Sequence, residues 1–325
     1  MKFIDLFSGM GGFRIACEQN GLECVFSADN DRYACETYQY NFFEYPLIDI
    51  QKYDIKNIPK AEILCAGFPC QPFSIGGFRK GFDDTRGTLF FDIARIIQEQ
   101  QPEIFILENV KGLVNHDKGN TFNVILENLA NKINGKKFHG SKSKNLGYNV
   151  YWKILNSFDY GLPQNRERVF IVGFKNNRIN FEFPKIEKRT LNLTDVLDKS
   201  PVIKRISDQS FEYINYYLNK HKLYSEISEL DCLLAYEIRK SRVSFRFDNN
   251  SPCLTTKMGT GGNNVPYLVN QKRFLSIKEC LKLQGFPENF SMTKSYTNAL
   301  KQIGNSVSVP VVDAIIKQIL KVSKT

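Results

Sequence analysis

Residues 2–13 read KFIDLFSGMGGF, and residues 23–29 read ECVFSAD. Lys2–Phe7 is a short apolar run that breaks into Gly9, Gly11 and Gly12. A helical pattern follows over Phe13–Asn20 and stops at Gly21. Glu23–Ala28 reads as a second strand, and Asp29 ends it, twenty positions after Gly9. Strand, glycine turn, helix, strand and terminal carboxylate is the order of a Rossmann-like unit. In such a unit the glycines let the backbone approach a ligand at a helix N-terminus, and the carboxylate takes ribose hydroxyls. The glycine spacing departs from G-x-G-x-x-G, so a dinucleotide is not the favoured ligand. To this point the residues specify an adenosine-type cofactor.

Working outward, the alternation continues. Asp31–Asn41 is helical, Glu62–Ala66 a strand, and Leu89–Gln100 a helix with Leu89, Ile93, Ile96 and Ile97 at helical spacing. Glu103–Leu107 is an apolar strand; Thr121–Ile133 carries Phe122, Ile125, Leu126, Leu129 and Ile133 on one side of an expected helix. Strands near Tyr148–Leu155 and Arg168–Phe174 would close the sheet. This pattern predicts an α/β fold, a doubly wound, mostly parallel sheet with helices on both faces. After Pro184 the texture changes to Tyr, Ser, Asn and Lys with weak periodicity and a glycine-bearing loop over 258–262. Ser276-Ile277-Lys278-Glu279 is a capping box, and a terminal helix from Val309 places Val312, Ile315, Ile316, Ile319 and Leu320 toward a core. The expected division is a larger domain over 1–184 plus 296–325, and a smaller domain with its hinge over 185–295.

The chain has 325 residues, 42% hydrophobic and 24% charged, which excludes a disordered or collagen-like polypeptide. No run of about 18 apolar residues suggests a membrane span. Lysine and arginine number 44 against 34 acidic residues, a net charge of +10 that favours a polyanionic partner. Eight scattered cysteines without a C-x-x-C pair fit free thiols in a reducing compartment, with no metal site and a cytoplasmic location expected.

Glu62–Ala66 runs into Gly67-Phe68-Pro69-Cys70-Gln71-Pro72-Phe73-Ser74. A cysteine between two prolines, just past a strand's carboxyl end, is presented at the edge where α/β sheets bind ligands. Thiolates are strong nucleophiles even when partly ionised, whereas Cys65, inside the strand, fits a buried small hydrophobe. Glu108-Asn109-Val110 and Gln164-Asn165-Arg166-Glu167-Arg168 stand at the ends of later strands. Together the three segments read as one site.

These segments carry a resemblance. Asp5-Leu6-Phe7-Ser8-Gly9-Met10-Gly11-Gly12, Pro69-Cys70-Gln71, Glu108-Asn109-Val110, Gln164-x-Arg166-x-Arg168 and Gly304-Asn305-Ser306-Val307 stand in the order found in DNA (cytosine-5)-methyltransferases. Glu279-x4-Gln284-Gly285-Phe286-Pro287 resembles a further block of that family. The match spans nearly the whole chain and is similar to the compact bacterial restriction–modification type, with a class I methyltransferase fold and a smaller target-recognition domain.

The resemblance implies an S-adenosyl-L-methionine-dependent enzyme acting on double-stranded DNA, releasing S-adenosyl-L-homocysteine. One target base per event makes a monomer the default expectation, and a cognate restriction endonuclease acting on the same site is a candidate partner. Cys70 would add to carbon 6 of a flipped cytosine, Glu108 would hydrogen-bond N3 and the exocyclic amine as the acid, and Arg166 would hold O2. For Arg168 a catalytic part and a structural bridge to Glu167 or a neighbour remain open. Phe7, Gly9, Gly11, Gly12 and Phe13 would surround the cofactor, Asp29 its ribose, Asp49 the adenine amine, and Asn305 and Ser306 the methionine end. Asn30 stands where relatives often place an aromatic residue that stacks on adenine. Arg79, Lys80 and Arg86 would meet phosphates from a closing loop. Arg242, Arg246, Lys257 and the loop containing Gly261 and Gly262 are candidates to enter the major groove. Cys253-Leu254 stands where relatives usually show Thr-Leu. A transfer-RNA methyltransferase of the same fold would be expected to carry a Cys-Phe-Thr tripeptide, which is absent.

Overall fold

The computed structural model describes residues 1–69, 89–138, 145–185, 191–202, 204, 206–223, 232–260 and 265–323. The first strands and helices are β1 (Lys2–Leu6), α1 (Gly12–Gln19), β2 (Glu23–Ala28), α2 (Arg32–Phe42) and β3 (Ile63–Gly67). They are followed by α3 (Leu89–Gln100), β4 (Ile104–Val110), α4 (Asn120–Leu129), β5 (Ala130–Ile133), β6 (Lys136–Lys137), β7 (Tyr148–Asn156) and β8 (Glu167–Phe174). These eight strands form one sheet in the order β2-β1-β3-β4-β8-β7-β5-β6. Pairs β1–β2, β1–β3, β3–β4 and β5–β7 are parallel, and β8 runs antiparallel to both β4 and β7.

Residues 3–6 of β1 are all buried, as a central strand covered on both faces requires. One face packs Phe3, Cys65, Ile104 and Ile106 against α1 and the C-terminal helix; the other packs Ile4, Leu64, Phe105 and Leu107 against α3 and α4. The chain leaves β1 for β2 on one side and for β3 and β4 on the other. That reversal opens a crevice at the carboxyl ends of β1 and β3, where open α/β sheets bind ligands.

One expected helix is shorter than its apolar pattern. Thr121–Ile133 was to be helical throughout, but α4 ends at Leu129 and residues 130–133 pair with β7 as strand β5. Asn134 and Gly135 both adopt positive φ, 49° and 77°, between β5 and β6. An Asn-Gly pair of this kind closes a two-residue hairpin, and its turn chemistry overrides the helical spacing.

The second region contains α5 (Leu193–Val196), α6 (Asp208–Lys220) and a four-stranded sheet. Its strands are β9 (Leu234–Arg239), β10 (Arg242–Arg246), β11 (Tyr267–Leu268) and β12 (Arg273–Phe274), in the order β10-β9-β11-β12. With α6 this sheet encloses its own small cluster around Ile214, Leu233, Val243 and Tyr267. Leu254, Met258, Leu268 and Leu275 instead join the cluster beneath the main sheet, so the two regions share a core.

The chain ends in α7 (Ile277–Gln284), α8 (Tyr296–Asn305) and α9 (Val309–Val322). The Ser276 hydroxyl accepts the Glu279 N–H while Glu279 accepts the Ser276 N–H, closing the expected capping box. Glu279 also forms a fully buried bidentate pair with Arg273, at 2.7 and 2.8 Å. By composition the stretch Tyr296–Val322 could cross a membrane; here 61% of its apolar window is buried inside the protein.

Candidate active site

The carboxyl ends of β1, β2, β3 and β4 and the start of the antiparallel β8 lie at one edge of the sheet, where the turn between α8 and α9 joins them. Together they wall a cavity of about 310 Å³. Of the sequence candidates, Phe7, Gly9, Gly12, Phe13, Asp29, Asn30, Glu108, Arg166, Arg168, Asn305 and Ser306 all line it.

The glycine loop is pinned from β2. Asp29 accepts the Gly9 N–H and the Asp31 N–H, both at 2.8 Å, and burial pushes its carboxyl above the usual range against those two bonds. Phe7 (φ 54°) and Gly9 (φ 56°) turn the chain with positive φ. Among the described residues a Cβ at Gly9 would meet nothing closer than 4.0 Å, so they leave this side open to a ligand. Gly12 answers to packing: a Cβ there would lie 2.7 Å from Val307 and 2.9 Å from the Ser306 hydroxyl. Gly11 does not line the cavity; its φ of 89° and the Phe42 ring beside it account for the glycine. Asp49 also stays outside the wall, where it accepts the Gln51 N–H at 3.2 Å and pairs with exposed Lys52 at 3.1 Å.

The chemical wall is built by β4 and β8. In their register Glu108 faces Phe170 and Val110 faces Arg168, so Glu108 and Arg168 are diagonal neighbours on one face. Their side chains pair at 3.2 Å, both largely buried. Burial raises the Glu108 carboxyl above its ordinary range, opposed by Arg168 and Arg166. Arg168 also donates from Nη1 to the Glu167 carbonyl at 2.8 Å, while the Glu167 carboxylate pairs with Lys111 at 2.8 Å. Asn109 donates to the Phe68 carbonyl at 2.8 Å, fixing the segment Phe68-Pro69 that leads into Cys70.

Arg166, 2% exposed, spans three segments. One Nη donates to the Leu254 carbonyl at 2.7 Å, and the other to the carbonyls of Gly304 and Ser306 at 3.1 and 2.7 Å. Its Nε has no partner among the described residues. Burial pushes this guanidinium down to about 10, still cationic at neutral pH. Gln164 reinforces the seam, accepting the Leu254 N–H at 3.0 Å and donating to the Leu283 carbonyl at 2.8 Å. The Cys253 thiol lies against both guanidiniums, 3.6 Å from Arg166 and 3.8 Å from Arg168.

Residues with no role assigned from the sequence complete the wall, among them Thr256, Gln302 and, within the glycine-loop motif, Ser8 and Met10. Gln302 is 5% exposed, and among the described residues neither its amide atoms nor the buried Ser8 hydroxyl has a partner. Unpaired buried polar atoms around a cavity call for a ligand or water to satisfy them.

Cys70, Arg79, Lys80, Arg86, Gly261 and Gly262 lie outside the described residues. Arg242 and Arg246 lie on β10, paired with Glu237 and Asp248, and Lys257 is exposed in the turn before residue 260.

The family model for C-5 cytosine-specific DNA methylases matches residues 1–321. Type II methyltransferase M.NgoBI of Neisseria gonorrhoeae is 42% identical over 318 residues, covering 96% of this chain and 91% of that protein. Type II methyltransferase M.HaeII of Haemophilus aegyptius is 42% identical over 317 residues, covering 97% and 91%. The crystal structure of S. pombe Dnmt2 methyltransferase matches with a TM-score of 0.68 at 19% identity over 100% of both chains, a likeness of fold.

Proposed function

The chain belongs to the C-5 cytosine-specific DNA methylase family, and from that premise we propose how its residues share the work of methylating cytosine in a type II restriction–modification setting. The observation that carries the reading is one cavity walled both by the glycine loop and by Glu108, Arg166 and Arg168.

The residues present fit S-adenosyl-L-methionine. Gly9 leaves backbone open to a close approach, and Asp29, with both oxygens holding loop N–H groups, keeps further lone pairs for ribose hydroxyls. Phe7, Phe13 and Asn30 supply the surrounding walls. The unpaired Gln302 amide, with Asn305 and Ser306 nearby in the chain, offers both a donor and an acceptor to the amino-acid end. When bound, the cofactor supplies an electrophilic methyl group on a sulfonium.

Carbon 5 of cytosine is too electron-poor to attack that methyl unaided. A thiolate adding at carbon 6 makes carbon 5 an enamine-like nucleophile, and the family pattern gives this part to Cys70. Glu108 gives its proton to N3 as charge develops on the ring, and takes it back when, after methylation, loss of the carbon 5 proton expels the thiolate and restores the ring. Burial favours the protonated carboxyl this step needs, and Arg168 at 3.2 Å receives the carboxylate it leaves. Arg166 turns its spare Nε–H to the base's O2 while its two amino groups hold the walls together. A base within a duplex cannot reach such a cavity, so the target cytosine is flipped out, with unstacking costing a few kcal/mol.

Bisulfite sequencing of DNA from cells devoid of cytosine methylation, but expressing this chain, tests the reading. Protection of one cytosine within a short motif is expected, and lost in Cys70→Ala. Complete conversion in the presence of folded protein would overturn it.

A further inference from the structure

β10 is the outermost strand of the four-stranded sheet, and its residues alternate cleanly. Val243 and Phe245 turn inward to the small cluster, which leaves Arg242, Ser244 and Arg246 on the opposite face. Each arginine is met by a carboxylate. Glu237, from β9, takes Arg242 Nη2 and the Ser244 hydroxyl, the latter at 3.2 Å. Asp248 takes Arg246 in a fork, Nε at 3.0 Å to one oxygen and Nη2 to the other. The face therefore reads carboxylate, arginine, serine, arginine, carboxylate. It is partly open to solvent: the Arg242 and Asp248 side chains are 63% and 50% exposed, while their partners Glu237 and Arg246 are 35% and 20% exposed.

The backbone is bent to produce this row. Glu237 sits at φ 52° inside a strand, and the β9–β10 register shifts between Arg242 and Ser244. A non-glycine residue at positive φ costs free energy, and a bulge re-aims side chains; both concentrate where a surface has a task.

We propose that Glu237 and Asp248 are specificity-determining residues for the methylation reaction, an inference that rests on the reading of β10 as a DNA-facing strand. With its fork already satisfied by Asp248, Arg246 gains little from a DNA phosphate, whose negative charge the neighbouring carboxylate repels. The edge of guanine offers two acceptors, O6 and N7, in the spacing of the fork, and displaces the carboxylate without leaving the guanidinium short of partners. The displaced carboxylate is then placed to accept from the cytosine amino group of a G·C pair. The acids thus weaken arginine toward every DNA sequence and return that binding only at a base edge of matching geometry. A lone arginine would hold phosphates everywhere, and the chain's +10 charge already supplies general attraction to DNA.

The test compares the intact protein with Asp248→Asn, Glu237→Gln, Arg246→Ala and Arg242→Ala. The probes are duplexes carrying the site found by bisulfite sequencing and duplexes with one base pair of that site changed. Discarding one bidentate discrimination corresponds to roughly tenfold, so the ratio of kcat/KM on the site to that on the changed duplexes should fall about tenfold in the two neutralised variants. Their affinity for unrelated duplex should rise, with a steeper salt dependence. Arg246→Ala should lower kcat/KM on the site itself. If the arginine variants lose activity on the site while both neutralised variants keep the wild-type ratio, the acids do not determine specificity. If neither arginine variant changes binding or activity, β10 does not face DNA and the underlying reading fails with the inference. Matched urea midpoints across the set keep a folding defect from imitating either result.

Discussion

Gly304→Ala probes the seam that holds the active site together. A Cβ at 304 would stand 2.2 Å from the Thr255 carbonyl oxygen, 2.3 Å from its carbon and 2.6 Å from the Thr256 nitrogen. All three neighbours are backbone, so no rotamer change removes the clash. Ordinary contact between heavy atoms lies near 3.5 Å, so the end of α8 and residues 255–256 must part by about 1 Å. Such overpacking costs about 1–3 kcal/mol. Arg166 bridges the same gap, bonding Leu254 on one side and Gly304 and Ser306 on the other, and cannot keep all three bonds across a wider one. A hydrogen bond to a charged group contributes about 1.5–3 kcal/mol, which brings the expected destabilisation to roughly 2.5–6 kcal/mol. Set against a total stability of about 5–15 kcal/mol, this is a severe defect. Urea unfolding followed through Trp152, the single tryptophan of the chain, measures it, and calorimetric titration with S-adenosyl-L-homocysteine reports on the adjoining cavity wall. Gly112→Ala is the control, since nothing lies within 4 Å of its added Cβ. A Gly304→Ala midpoint shift worth less than about 1 kcal/mol, with cofactor affinity unchanged, would refute the reasoning.

Glu108→Gln keeps the hydrogen-bonding shape but removes the proton, and kcat should fall about 10²- to 10⁴-fold with little change in protein stability. Because burial raises the Glu108 carboxyl and the reaction uses its protonated form, wild-type single-turnover rates should decline as pH rises through that raised value; a residual rate in the glutamine variant that declined alike would assign the decline elsewhere. Asp5 is fully buried, neither oxygen has a partner among the described residues, and burial pushes it up to about 8. Its folded pKa exceeds its unfolded one, so its contribution is fully present below the unfolded value near 4. That contribution is lost as pH rises toward 8, by at most about 1.4 kcal/mol per unit. Denaturation midpoints of Asp5→Asn should therefore fall less steeply with pH than those of wild type; parallel curves would count against the assignment. Gln302→Leu should leave stability unchanged or raised, because it deletes two unpaired buried polar atoms, while weakening S-adenosyl-L-homocysteine binding about tenfold in calorimetry. Unchanged affinity would show that the amide does not meet the cofactor.

Much of the fold was legible because its signals are local. The run from Lys2 to Asp29 carries a strand, a turn that needs positive φ, a helix and a second strand within one short segment. Ser276 with Glu279 announces a helix start through two reciprocal hydrogen bonds three residues apart. The helix expected over 121–133 failed for an equally local reason: Asn134-Gly135 is a hairpin dipeptide, and the apolar spacing through Ile133 drew attention away from it. The position of β8 between β4 and β7 was not legible, because strand order depends on which edges meet after collapse. Gln302, Ser8 and Thr256 carry no reactive group to mark them in a sequence. Only burial beside the cavity makes the bare Gln302 amide informative.

The two arginines show where the division falls. The sequence by itself determined which chemistry-bearing residues exist and in what order, since Cys70, Glu108, Arg166 and Arg168 each stand near a strand end recognisable from its own neighbours. Tertiary structure alone decided their partners. Arg168 meets Glu108 across two antiparallel strands, while Arg166 meets Leu254 and Ser306, 88 and 140 positions away. A side chain's charge is a property of its residue and is written in the sequence. The atoms that satisfy that charge come from distant segments, and only the packing of the folded chain brings them within hydrogen-bonding reach.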